Sequence, residues 1–492
     1  MIATIVMKRS VRHLAAAGTM ALAAACASQG GPTPDATAAS ATAPRNVILF
    51  LGDGMGISTV TAARILAGQL QGGPGEDHVL PFEAFSDVAL IKTYNTDAQV
   101  ADSAGTMAAI MTGQKTRMGF INVAASVSRN DCAGALANEV PSLLQMAEQA
   151  GLATGIVSTA RITHATPAAT YAHVPNRDWE SDAQLPPAAA EQGCRDIARQ
   201  LVEFADRPGS GDGPEVILGG GRALFFPQGA ADPEYPGIAQ AGGYRRDGRD
   251  LVAEWLAAGP DRRYVWNSAQ FEALPATSGQ VLGLFEPSHM QYEADRADDP
   301  AGEPSIAAMT RFAIRRLQAA GTGFFLMVEG GRIDHGHHAG NAYRALTDTL
   351  AMADAVAAAV ELTDRSDTLI LVTADHSHTF TIAGYPRRGN PIFGKVETPL
   401  GELARDSEGR PYTSLGYANG PGYRATLPDL REVDTTARDF LQVAAIPMSS
   451  ETHGGEDVAA YAIGVNADAV RGVMEQNRLF DVMRDALFGP PR

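Results

Sequence analysis

Positive charge is scarce in this chain of 492 residues: 39 Lys and Arg stand against 56 Asp and Glu, a formal net charge of −17. That deficit argues against a non-specific nucleic-acid binder, which needs a basic surface. It does not exclude an anionic substrate, because bound divalent cations invert the local field. Long hydrophobic runs are also missing. After the first 25 residues no segment offers the ~20 uninterrupted apolar residues that span a bilayer. Internal repeats are absent. Cysteine is limited to Cys26, Cys132 and Cys194, so one intrachain disulfide is the maximum. Charged residues make up only 19% and hydrophobic residues 45%, which fits a globular protein with a sizeable core and excludes bulk disorder.

The first 25 residues read as a signal peptide. Lys8, Arg9 and Arg12 form a positive start, and Leu14 to Ala25 is an apolar run too short to cross a membrane. The run ends in Ala23-Ala24-Ala25-Cys26. Cleavage before Cys26 with lipidation of its thiol would give a lipoprotein; cleavage at a nearby Ala-x-Ala would give a free exported protein. Ala27, in place of Asp, points a lipoprotein to the outer membrane, so the expected location is the periplasm or that membrane. Residues 26–44 are rich in Ala, Ser, Thr, Pro and Gly and read as a flexible tether. Export makes a Cys132–Cys194 disulfide reasonable; two separate buried thiols are the other reading.

The folded region is expected over residues 45–492. Asn46 to Leu51 is a continuous apolar run, as for a strand buried on both faces of a parallel sheet. A helix is expected from Ser58, as its N-cap, through Leu66. Short strands follow at Thr154 to Val157, Val216 to Leu218, Phe324 to Val328 and Leu369 to Val372, with helices at Ser142 to Ala150 and Ala342 to Glu361. This alternation predicts an α/β fold, a helix-flanked and mostly parallel central sheet. Residues from about 384 to 447 break the pattern with dense Gly, Pro and Arg, and read as an inserted, crown-like surface subdomain.

In such sheets, functional groups collect at the carboxyl ends of strands. Asp53, Glu329, Asp375 and His376 all sit just past a predicted strand and should meet at one edge. Asp334 and His338 lie four apart in Glu329-Gly330-Gly331-Arg332-Ile333-Asp334-His335-Gly336-His337-His338, so one helical turn puts both on one face. Carboxylate oxygen and imidazole nitrogen suit zinc. His453, in Glu451-Thr452-His453-Gly454-Gly455, is a third such group. Ser103, in Ala101-Asp102-Ser103-Ala104-Gly105-Thr106, precedes an expected helix at Gly105 to Thr112, and taken alone reads as a helix cap.

The chain resembles the alkaline phosphatases, and their animal branch more than the enteric bacterial form. The matching runs include FLGDGMG (50–56), ADSAGT (101–106), RITHATPAATYAH (161–173), NRDW (176–179), VILGGGR (216–222), GLFEP (283–287), VEGGRIDHGHH (328–338), VTADHSH (372–378), GYPRRGNPIFG (384–394) and ETHGGED (451–457). They cover nearly all of residues 45–465 in family order.

The resemblance implies two zinc ions and one magnesium. Asp334, His338 and His453 would hold the first zinc. Asp53, Asp375 and His376 would hold the second, with Ser103 beside it as nucleophile. Magnesium would share Asp53 and add Thr166 and Glu329. His164 and His335 would stand near magnesium or phosphate, and Arg177 would grip two phosphate oxygens, since a guanidinium binds phosphate bidentately. A calcium site is implied at Glu234, the carbonyl of Phe285, Glu286 and Glu303. The animal cysteine pair falls on Cys132 and Cys194, and the family implies a homodimer. The activity implied is hydrolysis of a broad range of phosphate monoesters through a phosphoserine. A phosphodiesterase of the same superfamily is the alternative; it usually carries threonine as nucleophile and lacks the Arg177 equivalent. A non-catalytic binder predicts lost ligands, and none is lost.

Overall fold

The computed structural model describes residues 45–277, 279–426 and 429–489. The expected signal peptide, the tether and Cys26 lie outside the described residues. Pro44–Arg492 forms one compact unit.

Its centre is a ten-stranded sheet. In chain order the strands are β1 (Asn46–Gly52), β2 (Asp87–Lys92), β3 (Ala153–Arg161), β4 (Val216–Gly220), β5 (Arg263–Val265), β6 (Val281–Leu284), β7 (Phe324–Gly330) and β8 (Thr368–Ala374). Four short strands follow, β9 (Ser377–His378), β10 (Phe380–Ile382), β11 (Leu415–Gly420) and β12 (Ala444–Pro447), then β13 (His453–Gly454), β14 (Val458–Gly464) and β15 (Gly472–Glu475). Across the main sheet the order is β15-β2-β14-β8-β1-β7-β3-β4-β6-β5. Every pairing is parallel except those of β14 with β2 and β8. The mostly parallel α/β sheet expected from the apolar runs is present.

β1 is buried from Val47 to Gly52 because helices cover it on both sides. One group comprises Ile57–Leu70 and Ile306–Gln318, each packed on Ala342–Leu362. The alanines of the last helix, such as Ala355, Ala358 and Ala359, are fully buried and let its neighbours approach closely. A second group packs Ser103–Thr112 against Leu143–Gln149 and Arg478–Phe488.

The first helix begins two residues earlier than expected. Its cap is Gly56, and Ser58 lies inside it. A side chain at Gly56 would run into Ser377 and Glu456, so space and not capping chemistry selects the residue. The helix at Leu143–Gln149 starts as expected at Ser142, in a reciprocal capping box with Gln145. The Gly- and Pro-rich stretch contributes β11 and β12 to a separate three-stranded sheet, β10-β11-β12, and carries isolated bridges such as Lys395↔Thr413 and Arg405↔Pro411.

Candidate active site

Register brings the expected residues together. Gly52 lies level with Gly330 of β7 and with Ala374 of β8. Asp53, Glu329 and Asp375 therefore emerge side by side at the carboxyl edge, where they are fully buried with His376. β9 and β13 pair antiparallel, with His378 opposite His453, so the late segment is fastened onto the same edge. Gly54, at φ 64°, turns the chain after β1; its N–H donates to Asp375 Oδ1 at 3.0 Å, and a side chain there would strike the His378 ring.

Two donor clusters have the dimensions of a tetrahedral metal site. In the first, His338 Nε2 lies 3.3 Å from Asp334 Oδ1, His453 Nε2 lies 3.5 Å from the same oxygen, and the two nitrogens are 3.2 Å apart. Donors about 2.0–2.1 Å from a zinc ion are separated by ~3.3 Å. His338 Nδ1 faces the Glu451 carbonyl at 2.6 Å and His453 Nδ1 faces the Ala101 carbonyl at 2.7 Å. A carbonyl only accepts, so both protons sit on Nδ1 and two lone pairs confront each other at Nε2. That arrangement asks for a cation between them.

In the second cluster, His376 Nε2 lies 3.3 Å from Asp53 Oδ1, 3.4 Å from Asp375 Oδ2 and 3.1 Å from Ser103 Oγ. Ser103 Oγ is 3.4 Å from Asp53 Oδ1. His376 Nδ1 faces the Ser377 carbonyl at 3.3 Å, which again leaves Nε2 as a lone pair. The rings of His376 and His453 stack at 3.6 Å, so the two clusters adjoin.

A third group fits a hard cation. Asp53 Oδ2, Thr166 Oγ1 and Glu329 Oε1 are buried without a protein partner. Ligand atoms of Asp53, His164 and Glu329 lie within 4.8 Å of one another. Burial, reinforced by Asp375, Asp334 and Glu329, holds the Asp53 carboxyl well above its ordinary range. Burial also raises Asp375, and lifts Glu329 to about 7 although Ser158 donates to it. These carboxylates are stable as anions here only with added positive charge.

Ser103 is the first residue of the helix Ser103–Thr112, and Asp102 is the cap, accepting from Gly105 N at 3.2 Å. Asp102 also accepts from Asn95 Nδ2 at 3.0 Å, Gly119 N at 3.0 Å and Arg177 Nη1 at 3.1 Å. The serine hydroxyl is thus released from capping, and Arg177 is drawn to the same helix start, where backbone N–H groups favour an anion. Arg177 Nη2 donates to His164 Nε2 at 3.0 Å, and the ring of His335 lies 5.4 Å from that of His164.

Three features were not foreseen from sequence. His378 bridges Asp334 Oδ1 at 2.9 Å and Glu451 Oε2 at 2.6 Å. Burial alone would lower it, but the two carboxylates lift it to about 9. It lies within VTADHSH, and Glu451 within ETHGGED, but only folding reveals their pairing. His289 packs 4.0 Å from His335. In the calcium-type cluster, the three mutually close carboxylates are Glu234, Glu286 and Asp299. Glu303 stands outside this group, with Oε1 accepting from Gln291 N at 3.0 Å. Tyr235 OH donates to Glu286 and Asp299 at 3.2 and 3.4 Å, which draws Asp299 inward. Phe285 O accepts from Arg222 Nη1 at 2.6 Å. Cys132 and Cys194 form a disulfide. Among the described residues no helix is long and apolar enough to cross a membrane.

Comparison with known proteins places this geometry in context. A family model described as alkaline phosphatase matches residues 44–488. The tissue-nonspecific alkaline phosphatase of Gallus gallus is 49% identical over 456 residues, covering 91% of this chain and 85% of that protein. The alkaline phosphatase of Gadus morhua is 47% identical over 439 residues, covering 88% and 89%. The crystal structure of Thermus thermophilus alkaline phosphatase superposes with a TM-score of 0.64 at 25% identity, over 92% of each chain.

Proposed function

The chain belongs to the alkaline phosphatase family and is a phosphomonoesterase; from that premise we propose that it hydrolyses a broad range of phosphate monoesters through a phosphoserine at Ser103. The observation that carries this reading is Ser103 Oγ itself, 3.1 Å from His376 Nε2 and 3.4 Å from Asp53 Oδ1, as the open corner of a donor set of zinc dimensions. Zinc would be held by Asp334, His338 and His453 and by Asp53, Asp375 and His376, and magnesium by Asp53, Thr166 and Glu329. These ions, when bound, supply the positive charge that favours ionised oxygens at the reacting centre.

The chain's own groups do the rest. Ser103 Oγ bonds to phosphorus as the ester P–O bond breaks, and the serine proton leaves with the alcohol. Water then attacks the phosphoserine, releasing inorganic phosphate and restoring the hydroxyl. Arg177, fixed by Asp102, offers two N–H groups to the phosphoryl oxygens as charge spreads over them. Because the grip is on the phosphoryl group, the alcohol contributes little to selectivity.

Calcium is proposed at Glu234, Phe285 O and Glu286, with Asp299 and Glu303 as the remaining acidic groups. Asp299 Oδ2 and Glu303 Oε2 are buried without partners, and burial pushes these carboxyls up to about 7 and about 9. Export to the periplasm or outer membrane, with Cys26 lipidated or the leader cleaved nearby, is part of the same reading; the disulfide supports an oxidising compartment. Tyr385 and Leu400, 91% and 87% exposed on the inserted subdomain, support a homodimer.

The direct test is turnover of p-nitrophenyl phosphate against its bis ester, with metal analysis of the same sample. Preferential hydrolysis of the monoester with zinc and magnesium present is the expected result. Preference for the bis ester would establish the diesterase reading instead.

A further inference from the structure

The inserted subdomain reaches the metal-binding edge through one strand. Three consecutive residues of β11 touch groups that surround the first donor cluster. Tyr417 OH lies 2.8 Å from His337 Nδ1. Ala418 N donates to Thr379 O at 3.1 Å. Asn419 Nδ2 donates to Thr452 Oγ1 at 2.8 Å, and Thr452 N donates back to Asn419 Oδ1 at 2.9 Å. Thr379 and Thr452 both adjoin the cluster. Thr379 N and Oγ1 each donate to Glu451 Oε1 at 2.7 Å, while Glu451 Oε2 holds His378. Thr452 directly precedes His453.

His337 is next to His338 in sequence, yet both of its ring nitrogens are taken by hydroxyl groups. Nδ1 meets Tyr417, and Nε2 lies 2.9 Å from Thr59 Oγ1 on the helix Ile57–Leu70. All three side chains are buried. Phe380 packs 5.0 Å from the imidazole. A buried ring held at both nitrogens keeps one orientation. Its face stacks on His378, with ring centres 4.7 Å apart and planes 30° apart. Gly54 crowds His378 as well, since a Cβ there would fall 2.2 Å from His378 Nε2. His378 Nε2 lies 2.9 Å from Asp334 Oδ1, the same oxygen that faces His338 and His453.

We propose that β11 is the positioning element of the first donor cluster and that Tyr417 is its positioning residue: the hydroxyl fixes the His337 ring, the ring fixes His378, and His378 aims Asp334. The inference rests on the two-zinc reading for its ligand. Groups that orient a metal ligand set affinity although they never touch the ion. The inserted subdomain thereby sets zinc affinity from outside the main sheet.

The test strips the full chain with EDTA, reloads it with zinc, and reads the affinity of each zinc ion by competition with a chromophoric chelator. Tyr417→Phe keeps the ring beside Phe380 and removes only the hydroxyl. It should weaken one of the two zinc ions about tenfold, the low end for a group that orients a ligand, and leave the other at its parent affinity. Thr59→Val removes the hydroxyl at the opposite nitrogen, from a different element, and should do the same; it supplies the reading if Tyr417→Phe does not fold. In a His378→Ala background, Tyr417→Phe should cost nothing more, because the route runs through that ring. Parent-like affinity in the single variants, equal weakening of both ions, or additive losses in the double variant would overturn the proposal. A parent chain that binds no zinc would refute the two-zinc reading, and this inference with it.

Discussion

At Ser103 a single position separates a helix cap from a nucleophile. Asp102 takes the capping duty, and the serine hydroxyl is left facing Asp53 and His376. Ser103→Ala should therefore keep the fold and the zinc, while turnover falls by at least about 10³-fold and no labelled phosphate is trapped covalently. Phosphate still trapped in that variant would refute the assignment. A second residue-scale prediction concerns His378, which donates to Asp334 and Glu451. Removing such an orienting partner typically costs about 10–100-fold in metal affinity. His378→Ala should show that loss in competition with a chromophoric chelator, and parent-like zinc affinity would rule the role out. Ser103, Asp53 and Asp334 were legible because short sequence runs carry them. His378 and Glu451 were not, because their roles arise from a pairing 73 positions apart and from the contact of His378 with Asp334, 44 positions away.

At the scale of elements, apolar runs such as Asn46–Leu51 declared buried strands, since only a two-sided cover tolerates them. The start of the first helix was less legible: Gly56 is chosen by the nearness of Ser377, a contact that local sequence does not contain. The helix Leu143–Gln149 carries a testable strain. Glu148 is buried there, accepting from Thr154 Oγ1 at 2.5 Å and Gly213 N at 3.0 Å. Burial lifts its carboxyl to about 8, from an ordinary value of 4.5. The folded state thus disfavours the ionised form. The contribution of this carboxyl to stability is fully present below pH 4.5 and is lost as pH rises through about 8. Glu148→Gln can keep the Gly213 bond through its carbonyl and give its amide to Thr154. It should raise the melting temperature at pH 9 and lose that advantage near pH 4.5. A shift equal at both pH values would contradict the buried-carboxyl account.

For the whole molecule, the strand-end carboxylates set the terms of stability. Asp53, Glu329, Asp334 and Asp375 are buried at one edge, so removing cations should leave repulsion that the fold must absorb. EDTA should abolish activity and lower the melting temperature, and zinc with magnesium should restore both. Full activity in a verified metal-free sample would exclude the two-zinc reading. Sedimentation should show twice the chain mass for the holoenzyme, with Leu400→Asp shifting it toward the monomer if the exposed subdomain is the contact.

The sequence alone determined the alternation of strands and helices, the strand-end collection of Asp53, Glu329, Asp375 and His376, and the acidic balance. Those features are written in local order: apolar runs, turn glycines and residue identity. The tertiary structure alone decided which lone pairs meet. The opposition of His338 and His453 at 3.2 Å, and the bridge of His378 between two carboxylates, depend on β13 folding back onto β9. The Arg332–His335 contact spans three positions and looks local. The rings of His164 and His289, from the segments that follow β3 and β6, are brought beside His335 only by folding. Distances between donors are set by packing across the sheet edge, and packing is a property of the folded chain.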